Sequence, residues 1–599
     1  MQPSQDSSGR LLLSGNEAVA LAALHCGVAL GTGYPGTPST EILEGFGALG
    51  GKAQWAPNEK VAAEVALGAA FARARVICTM KHVGLNVAAD VLFTMTYSGV
   101  DGGYVLIVAD DPGMASSQNE QDSRRYAEAA AAPMFEPADS QEAYDLLRTA
   151  FEVSERWHLP VLFRLTTRVC HSKSPVTPRF PVGVAPGETG APSPEFIRNI
   201  AGRVMVPGHA KPAHKRLRAK LADLQAWNEA EGPNRVERRS AVLGVITGGI
   251  SYHHVREAAP DASILKLGLS YPLPMKTLRD FAASVERCVV IEENDPWLAT
   301  ACRAAGLTVE SKDDAIFRFG ELTVDRVRRI LARDSSPEPV PPRGKPPELC
   351  AGCPHRSSFE VLKELDCIVS GDIGCYTLAA LPPIAAMDMM IDMGAAVGMG
   401  LGLRHVLPRD QAKRVVSVIG DSTFLHGGLP GLVEMAYNPP ATGHVLVILD
   451  NGTTAMTGQQ EHPGTGRQLD GAATYQVSYE AMARAAGVKN VVTLNPIREK
   501  ARFKELLAEA LRKDELTVFI ARSPCILAAG RIVAWQKERQ ALEAAAEETA
   551  SCACGPDCAC GNAPGGAKED GLEENCNAAS TDAAAGLDKA GCGDPALQS

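Results

Sequence analysis

Apolar positions along the chain follow two rhythms. Short apolar runs bounded by turn residues recur through the first third: RVICTM at Arg75–Met80, YVLIVA at Tyr104–Ala109 and LPVLFRL at Leu159–Leu165. They predict buried strands, and the stretches between them carry helical spacing, so βαβ units on a parallel sheet are expected for residues 1–180. Residues 181–238 change character. A Pro/Gly-rich run leads into a helical, basic stretch around Lys215, Arg216, Arg218 and Lys220, which reads as a connector packed on the outside. A third unit over 239–335 opens with AVLGVITGG and includes CVVIEEN. A proline-dense linker over 336–348 precedes a last block, 349–535, where RVVSVIG and HVLVILD again alternate with glycine-rich turns and helices. The expected class is α/β, several doubly wound parallel-sheet domains. Residues 536–599 predict a charged helix and then a disordered tail. From residue 551 on there are three Leu, no Val, Ile or Phe, and eight acids against two lysines, too little apolar surface to fold around.

Composition narrows the function. Of 599 residues 45% are hydrophobic and 22% charged, which excludes a fibrous or wholly disordered chain. A net charge of −11 argues against nucleic-acid binding, which needs a basic surface. No uncharged apolar run approaches the roughly 18 residues of a membrane span. The opening MQPSQDSSGRLLLSGNEAV lacks the basic and apolar regions of a signal peptide, so a cytoplasmic, reducing location is expected. There, sixteen cysteines suit metal or cluster ligation better than disulfides.

The densest chemistry lies in the last block. Gly420-Asp421-Ser422 follows the strand RVVSVI, and Asn451 ends the strand HVLVIL thirty residues after Asp421. Both turns fall at carboxyl ends of strands, where open α/β sheets bind ligands. A carboxylate and an amide oxygen there suit Mg²⁺ bridging a diphosphate, and Gly420 lets the backbone approach phosphates closely. In the first block Asn58 reads as an N-cap, with Val61, Val65, Ala66 and Ala69 as the inward helical face. Glu59 lies in the first turn, where an acid also complements the helix dipole, and Glu64 is the rival carboxylate. Cys350, Cys353, Cys375 and Cys525 group in the last block, and four thiolates hold either a [4Fe–4S] cluster or Zn²⁺. Cys26, Cys78, Cys170, Cys288, Cys302 and Cys367 read as small core residues.

GDS with DN thirty residues on resembles the diphosphate motif of thiamine diphosphate enzymes. That resemblance implies a thiamine diphosphate-binding fold, with residues 1–180 the pyrimidine-binding domain, 239–335 a transketolase C-terminal-like domain and 349–535 the diphosphate-binding domain. It implies that Asp421, Asn451 and Thr453 ligate Mg²⁺ beside Gly420 and Ser422. It also implies that Glu59, nine residues before Gly68, activates the aminopyrimidine. Gly33-Tyr34-Pro35-Gly36-Thr37-Pro38-Ser39 looks like the YPxTPS loop of 2-oxoacid:ferredoxin oxidoreductases, whose threonine, here Thr37, contacts the substrate carboxylate. DDPGMASSQNEQDSRRYA, CAGCPHRSSF, GDIGCYTLAALPP and GDSTFLHGGLPGL resemble the alpha subunits of indolepyruvate:ferredoxin oxidoreductases, in order from about residue 11 to 535.

The resemblance implies oxidative decarboxylation of an arylpyruvate, acyl transfer to coenzyme A on a beta subunit, and electrons passed to ferredoxin. It assigns Cys350, Cys353, Cys375 and Cys525 to a cluster near thiamine. It also places the glutamate and the diphosphate turn on different chains, so a homodimer of this subunit within a heterotetramer is expected. His82 and His426 are candidates to polarise the keto oxygen or shuttle protons, or simply to hold loops. The end departs from the family, which closes with a ferredoxin module. Here the tail offers Cys552, Cys554, Cys558, Cys560, Cys576 and Cys592, more like a soft-metal clasp. A non-oxidative thiamine decarboxylase or carboligase, and a metal-handling protein acting through that tail, are the alternatives.

Overall fold

The computed structural model describes residues 9–180, 194–339 and 344–551. The chain divides into a unit ending at Trp535 and a second one beginning at Gln536. The Cys-rich tail over 552–599, part of the Pro/Gly-rich run and part of the proline linker lie outside the described residues. The last described element is the helix Ala529–Ser551.

Four sheets are found among the described residues of the first unit, the smallest an antiparallel pair of Leu11–Ser14 with Lys173–Val176. Seven strands form the largest, in the order Leu269–Tyr271, Met134–Phe135, Val161–Thr166, Tyr104–Asp110, Val76–Lys81, Leu30–Gly33, Ala53–Trp55. All pair in parallel except Leu269–Tyr271, an antiparallel edge strand contributed from the stretch read as a third unit. Its central strands are buried along their whole length, which is why they read as continuous apolar runs rather than alternating ones. The smaller second sheet runs Arg287–Ile291, Leu243–Gly248, Ser263–Leu267 and antiparallel Arg235–Glu237. The helix Pro207–Ala230 buries Ala213, Leu217, Leu221 and Leu224 and leaves Lys215, Arg216 and Arg218 exposed.

The third sheet positions the site. Its five parallel strands run Ile368–Ser370, Val415–Gly420, His444–Asp450, Leu516–Arg522, Asn490–Leu494. Because they are parallel, their carboxyl ends share one edge. The turns beyond four neighbouring strands therefore carry, side by side, Asp372–Cys375, Asp421–Ser422, Asn451–Thr453 and Cys525.

One helix is turned differently from its expected setting. The helix Glu59–Phe71 buries Glu59, Ala62, Ala63, Ala66 and Ala70, while Val61, Val65 and Ala69 sit at its half-buried margin. The alanine stripe lets the backbone approach the first sheet closely. Thr32 Oγ1 donates to the Ala62 carbonyl at 2.9 Å, and Tyr104 Oη to that of Ala63 at 3.2 Å. Small size, not hydrophobicity, selects the inward face. Of the six cysteines read as core residues, five are buried and Cys367 is half-buried. Among the described residues no helix is long and apolar enough to cross a membrane.

Candidate active site

The carboxyl edges of the first and third sheets meet. Asn58 caps the helix Glu59–Phe71 by accepting the Val61 N–H at 2.9 Å, and its Nδ2 donates across to the His426 carbonyl at 3.0 Å. Glu59, only 5% exposed, receives His426 Nε2 at 2.7 Å. Tyr34, at the end of strand Leu30–Gly33, puts its hydroxyl 3.0 Å from Ser422 Oγ, which also accepts from Thr454 Oγ1 at 2.9 Å. One chain thus brings Glu59 and Tyr34 to the loop that carries Asp421, Ser422 and His426. The expectation that these meet between two copies is corrected, and a dimer argued from that junction loses its basis. Glu64 is exposed and paired with Lys60, so it is no rival to Glu59.

Asp421 is caged. Its Oδ1 accepts the Ser422 N–H at 2.8 Å, and its Oδ2 accepts those of Asn451 at 3.1 Å and Gly452 at 2.8 Å. Burial pushes this carboxyl up, but His462 at 3.5 Å and the backbone donors bring it net below its ordinary value. Asn451 Oδ1 accepts the Thr453 N–H at 3.1 Å, and Thr453 Oγ1 donates to the Gln460 carbonyl at 3.2 Å. Gly420 is needed where it stands, since a Cβ there would lie 2.8 Å from the Tyr376 ring. An open cleft of about 520 Å³ runs along these turns, lined by Tyr34, Cys375, Tyr376, Asp421, Ser422, Asn451 and Thr453 among others. The donor set fits Mg²⁺ with a diphosphate. It consists of oxygens from one carboxylate, one amide and one hydroxyl residue, and phosphate oxygens complete such sites.

The four grouped cysteines surround the same edge. Cys525 N–H donates to the Asn451 carbonyl at 2.9 Å, and a Cβ on Gly352 would sit 3.0 Å from Ile526, so the 350–353 and 525–527 loops touch. Burial, and after it the charges of Cys353, Cys525 and Cys350, push the Cys375 thiol up to about 11. Cys350 is exposed and the other three half-buried. Among the described residues no three His, Cys, Asp or Glu side chains are gathered to grip a single metal ion.

Other expected residues sit further out. His82 is wholly buried, and among the described residues neither of its ring nitrogens has a hydrogen-bond partner. Burial pushes it below the usual histidine range, with Asp110 opposing. Gly84, on the turn that His82 begins, presses on Glu59: a Cβ there would be 2.6 Å from Oε1. Thr37 lies half-buried in the turn after Tyr34, and only Tyr34 and Pro35 of that loop line the cleft. Two residues went unread in the sequence. His355, buried and pushed down to about 4 chiefly by burial, accepts from Asn451 Nδ2 at 3.2 Å, and it is the second residue of the helix Pro354–Glu364 that Cys353 precedes. His462 stands beside Asp421. The only sequence signal for His355 was its place two residues after the CxxC; His462, in an irregular loop, had none.

Comparison with known proteins agrees with this geometry. The family described as "Pyruvate flavodoxin/ferredoxin oxidoreductase, thiamine diP-bdg" matches residues 21–182, and "Thiamine pyrophosphate enzyme, C-terminal TPP binding domain" matches 372–521. The indolepyruvate oxidoreductase subunit IorA of Archaeoglobus fulgidus is 38% identical over 87% of this chain and 88% of its own length. That of Thermococcus kodakarensis is 36% identical over 86% of each chain. A solved 2-oxoglutarate:ferredoxin oxidoreductase from Magnetococcus marinus is 16% identical, with a TM-score of 0.44 over 54% of this chain and 65% of that one, a likeness too slight to argue from. With two thiamine-binding domains facing each other across one cleft, and with more than a third of its positions shared over nearly its whole length, this chain belongs to the family of indolepyruvate oxidoreductase IorA subunits, thiamine diphosphate-binding oxidoreductases.

Proposed function

We propose that this chain is the thiamine-carrying subunit of an enzyme that oxidatively decarboxylates arylpyruvates, indolepyruvate among them, to aryl-acetyl-CoA and passes the electrons to ferredoxin. The observation that carries the reading is the order of the strand ends. A diphosphate-type turn and two of four grouped cysteines leave four adjacent strands toward one cleft, opposite Glu59. Pro35, Ile373, Met393 and Met456 give that cleft apolar walls suited to an aryl side chain, and the relatives' names point the same way.

Thiamine diphosphate, when bound, supplies the electron sink for losing the carboxyl group of a 2-oxoacid. In this reading Asp421, Asn451 and Thr453 hold Mg²⁺, while Gly420 and Ser422 receive the diphosphate. Glu59, desolvated at the helix start, presents its carboxylate to the aminopyrimidine ring. Thr37 recognises the substrate carboxylate, and His82, neutral by burial, serves proton movement near the keto group. Cys350, Cys353, Cys375 and Cys525 hold a [4Fe–4S] cluster. Coenzyme A binds the beta subunit, and the enzyme works in the cytoplasm.

An anaerobic assay with the beta partner, coenzyme A, methyl viologen and a panel of 2-oxoacids tests the proposal. Indolepyruvate and phenylpyruvate are expected to reduce the dye in a coenzyme A-dependent way, well ahead of pyruvate and 2-oxoglutarate. Equal rates across the panel would remove the arylpyruvate claim; decarboxylation without dye reduction would remove the oxidative one.

A further inference from the structure

Resting on the reading of Glu59 as the carboxylate that serves thiamine, we infer that His426 is a positioning residue: it holds and polarises Glu59 through Nε2 instead of acting on the substrate. A buried carboxylate needs donors, and among the described residues His426 Nε2 is the one that reaches the Glu59 side chain, at 2.7 Å. Both side chains are almost fully buried, at 4% and 6% exposure, so water is a poor substitute. A nitrogen committed to Glu59 is not free to polarise a keto oxygen.

The ring is held for this purpose from three sides. Asn58 fixes its backbone by donating Nδ2 to the His426 carbonyl, while the same side chain caps the helix that begins with Glu59. One amide therefore sets the distance between carboxylate and imidazole. Tyr34 packs edge-on against the ring, with centroids 4.7 Å apart and planes at 61°. His426 lies in a single π-turn, Phe424–Gly428, a geometry common at functional sites. That turn depends on Gly427, where a Cβ would come within 2.5 Å of the Met393 carbonyl. With Nε2 donating, a neutral ring leaves Nδ1 as an acceptor, and Nδ1 is buried without a partner among the described residues. Among the described residues no protein acceptor faces Nδ1, so nothing competes for the ring proton that serves Glu59.

Three substitutions in the full-length protein test this, because they separate the two ring nitrogens. Glutamine puts an amide nitrogen near the Nε2 position and asparagine puts one near Nδ1; alanine has neither. The readouts are deuterium exchange at C2 of bound thiamine diphosphate, cofactor affinity by calorimetry, and the melting temperature. H426A and H426N are expected to slow exchange by about tenfold or more, with affinity within about threefold of wild type, and H426Q to restore most of the rate. If H426A does not fold, the near-isosteric H426Q and H426N pair still decides. Exchange within about twofold of wild type in all three, or H426N matching H426Q, overturns the inference. E59Q is measured alongside. If E59Q leaves exchange unchanged, the inference falls because the Glu59 reading has failed; if E59Q slows it and the His426 variants do not, the inference alone fails.

Discussion

Asp421→Asn removes one negative charge from the diphosphate turn without changing its size. Two costs follow, and they separate cleanly. The carboxylate now accepts one N–H at Oδ1 and two at Oδ2. An amide turned with its oxygen toward Asn451 and Gly452 keeps two of those bonds and strands only the Ser422 N–H. One buried, unsatisfied donor costs about 1–3 kcal/mol, so the melting temperature falls by a few degrees and the fold survives. Binding suffers more. The proposed Mg²⁺ loses its one carboxylate ligand, and His462, 3.5 Å away, loses the charge it faces. A charge-assisted contact of about 1.5–3 kcal/mol corresponds to roughly 10- to 150-fold in affinity. Calorimetric titration of thiamine diphosphate at saturating Mg²⁺, with scanning calorimetry of the protein alone, reads both quantities. Affinity within about threefold of wild type, alongside the expected small fall in melting temperature, would refute the assignment of Asp421.

Other perturbations have equally definite outcomes. Cys353→Ser should remove the iron and the broad visible absorbance of anaerobically purified protein, whereas Cys288→Ser, in the apolar core, should leave both; retention of iron in Cys353→Ser would exclude Cys353 as a ligand. Burial pushes Glu293 up from 4.5 to about 7, with Lys312 opposing. The folded protein therefore holds this proton where the unfolded chain releases it, and stability contributed here falls as pH rises from about 4.5 to about 7. Glu293→Gln should match wild type near pH 4 and exceed it above pH 7 by on the order of 3 kcal/mol in denaturant titrations; a pH-independent difference would contradict this. A Cβ on Gly400 would lie 2.2 Å from Ser417 Oγ, while one on Gly402 meets nothing within 4 Å. Gly400→Ala should then cost about 1–3 kcal/mol and Gly402→Ala should stabilise the helix by up to about 1 kcal/mol, an ordering that urea midpoints check directly.

Much of the site could be read before any coordinates because its residues sit where one-dimensional signals are strong. Asp421 and Asn451 each close an apolar run, so strand ends and chemistry coincide in the sequence. Glu59 follows an N-capping asparagine. What escaped depends on packing across the two sheets. Nothing local says that Ala62 and Ala63 rather than Val61 and Val65 face the sheet beside Ala66, because the choice is made by how closely Thr32 and Tyr104 approach the helix backbone. His355 looked like a neighbour of a cysteine pair until Asn451 reached it. The edge strand Leu269–Tyr271 joins the first sheet from a distant stretch through two antiparallel pairings, too short to leave a periodic signature. The contact of Glu59 with His426 spans 367 positions, and no pattern in the chain reveals that it closes within one copy.

Thiamine chemistry and a cluster are proposed to share one cleft in this chain. The most direct test adds phenylpyruvate anaerobically to the cofactor-loaded wild-type protein, with no external electron carrier, and follows carbon dioxide release and the electron paramagnetic resonance spectrum together. Carbon dioxide release accompanied by a reduced-cluster signal is expected, with both lost in Glu59→Gln. Carbon dioxide release with aldehyde as product and no cluster signal would contradict the proposal.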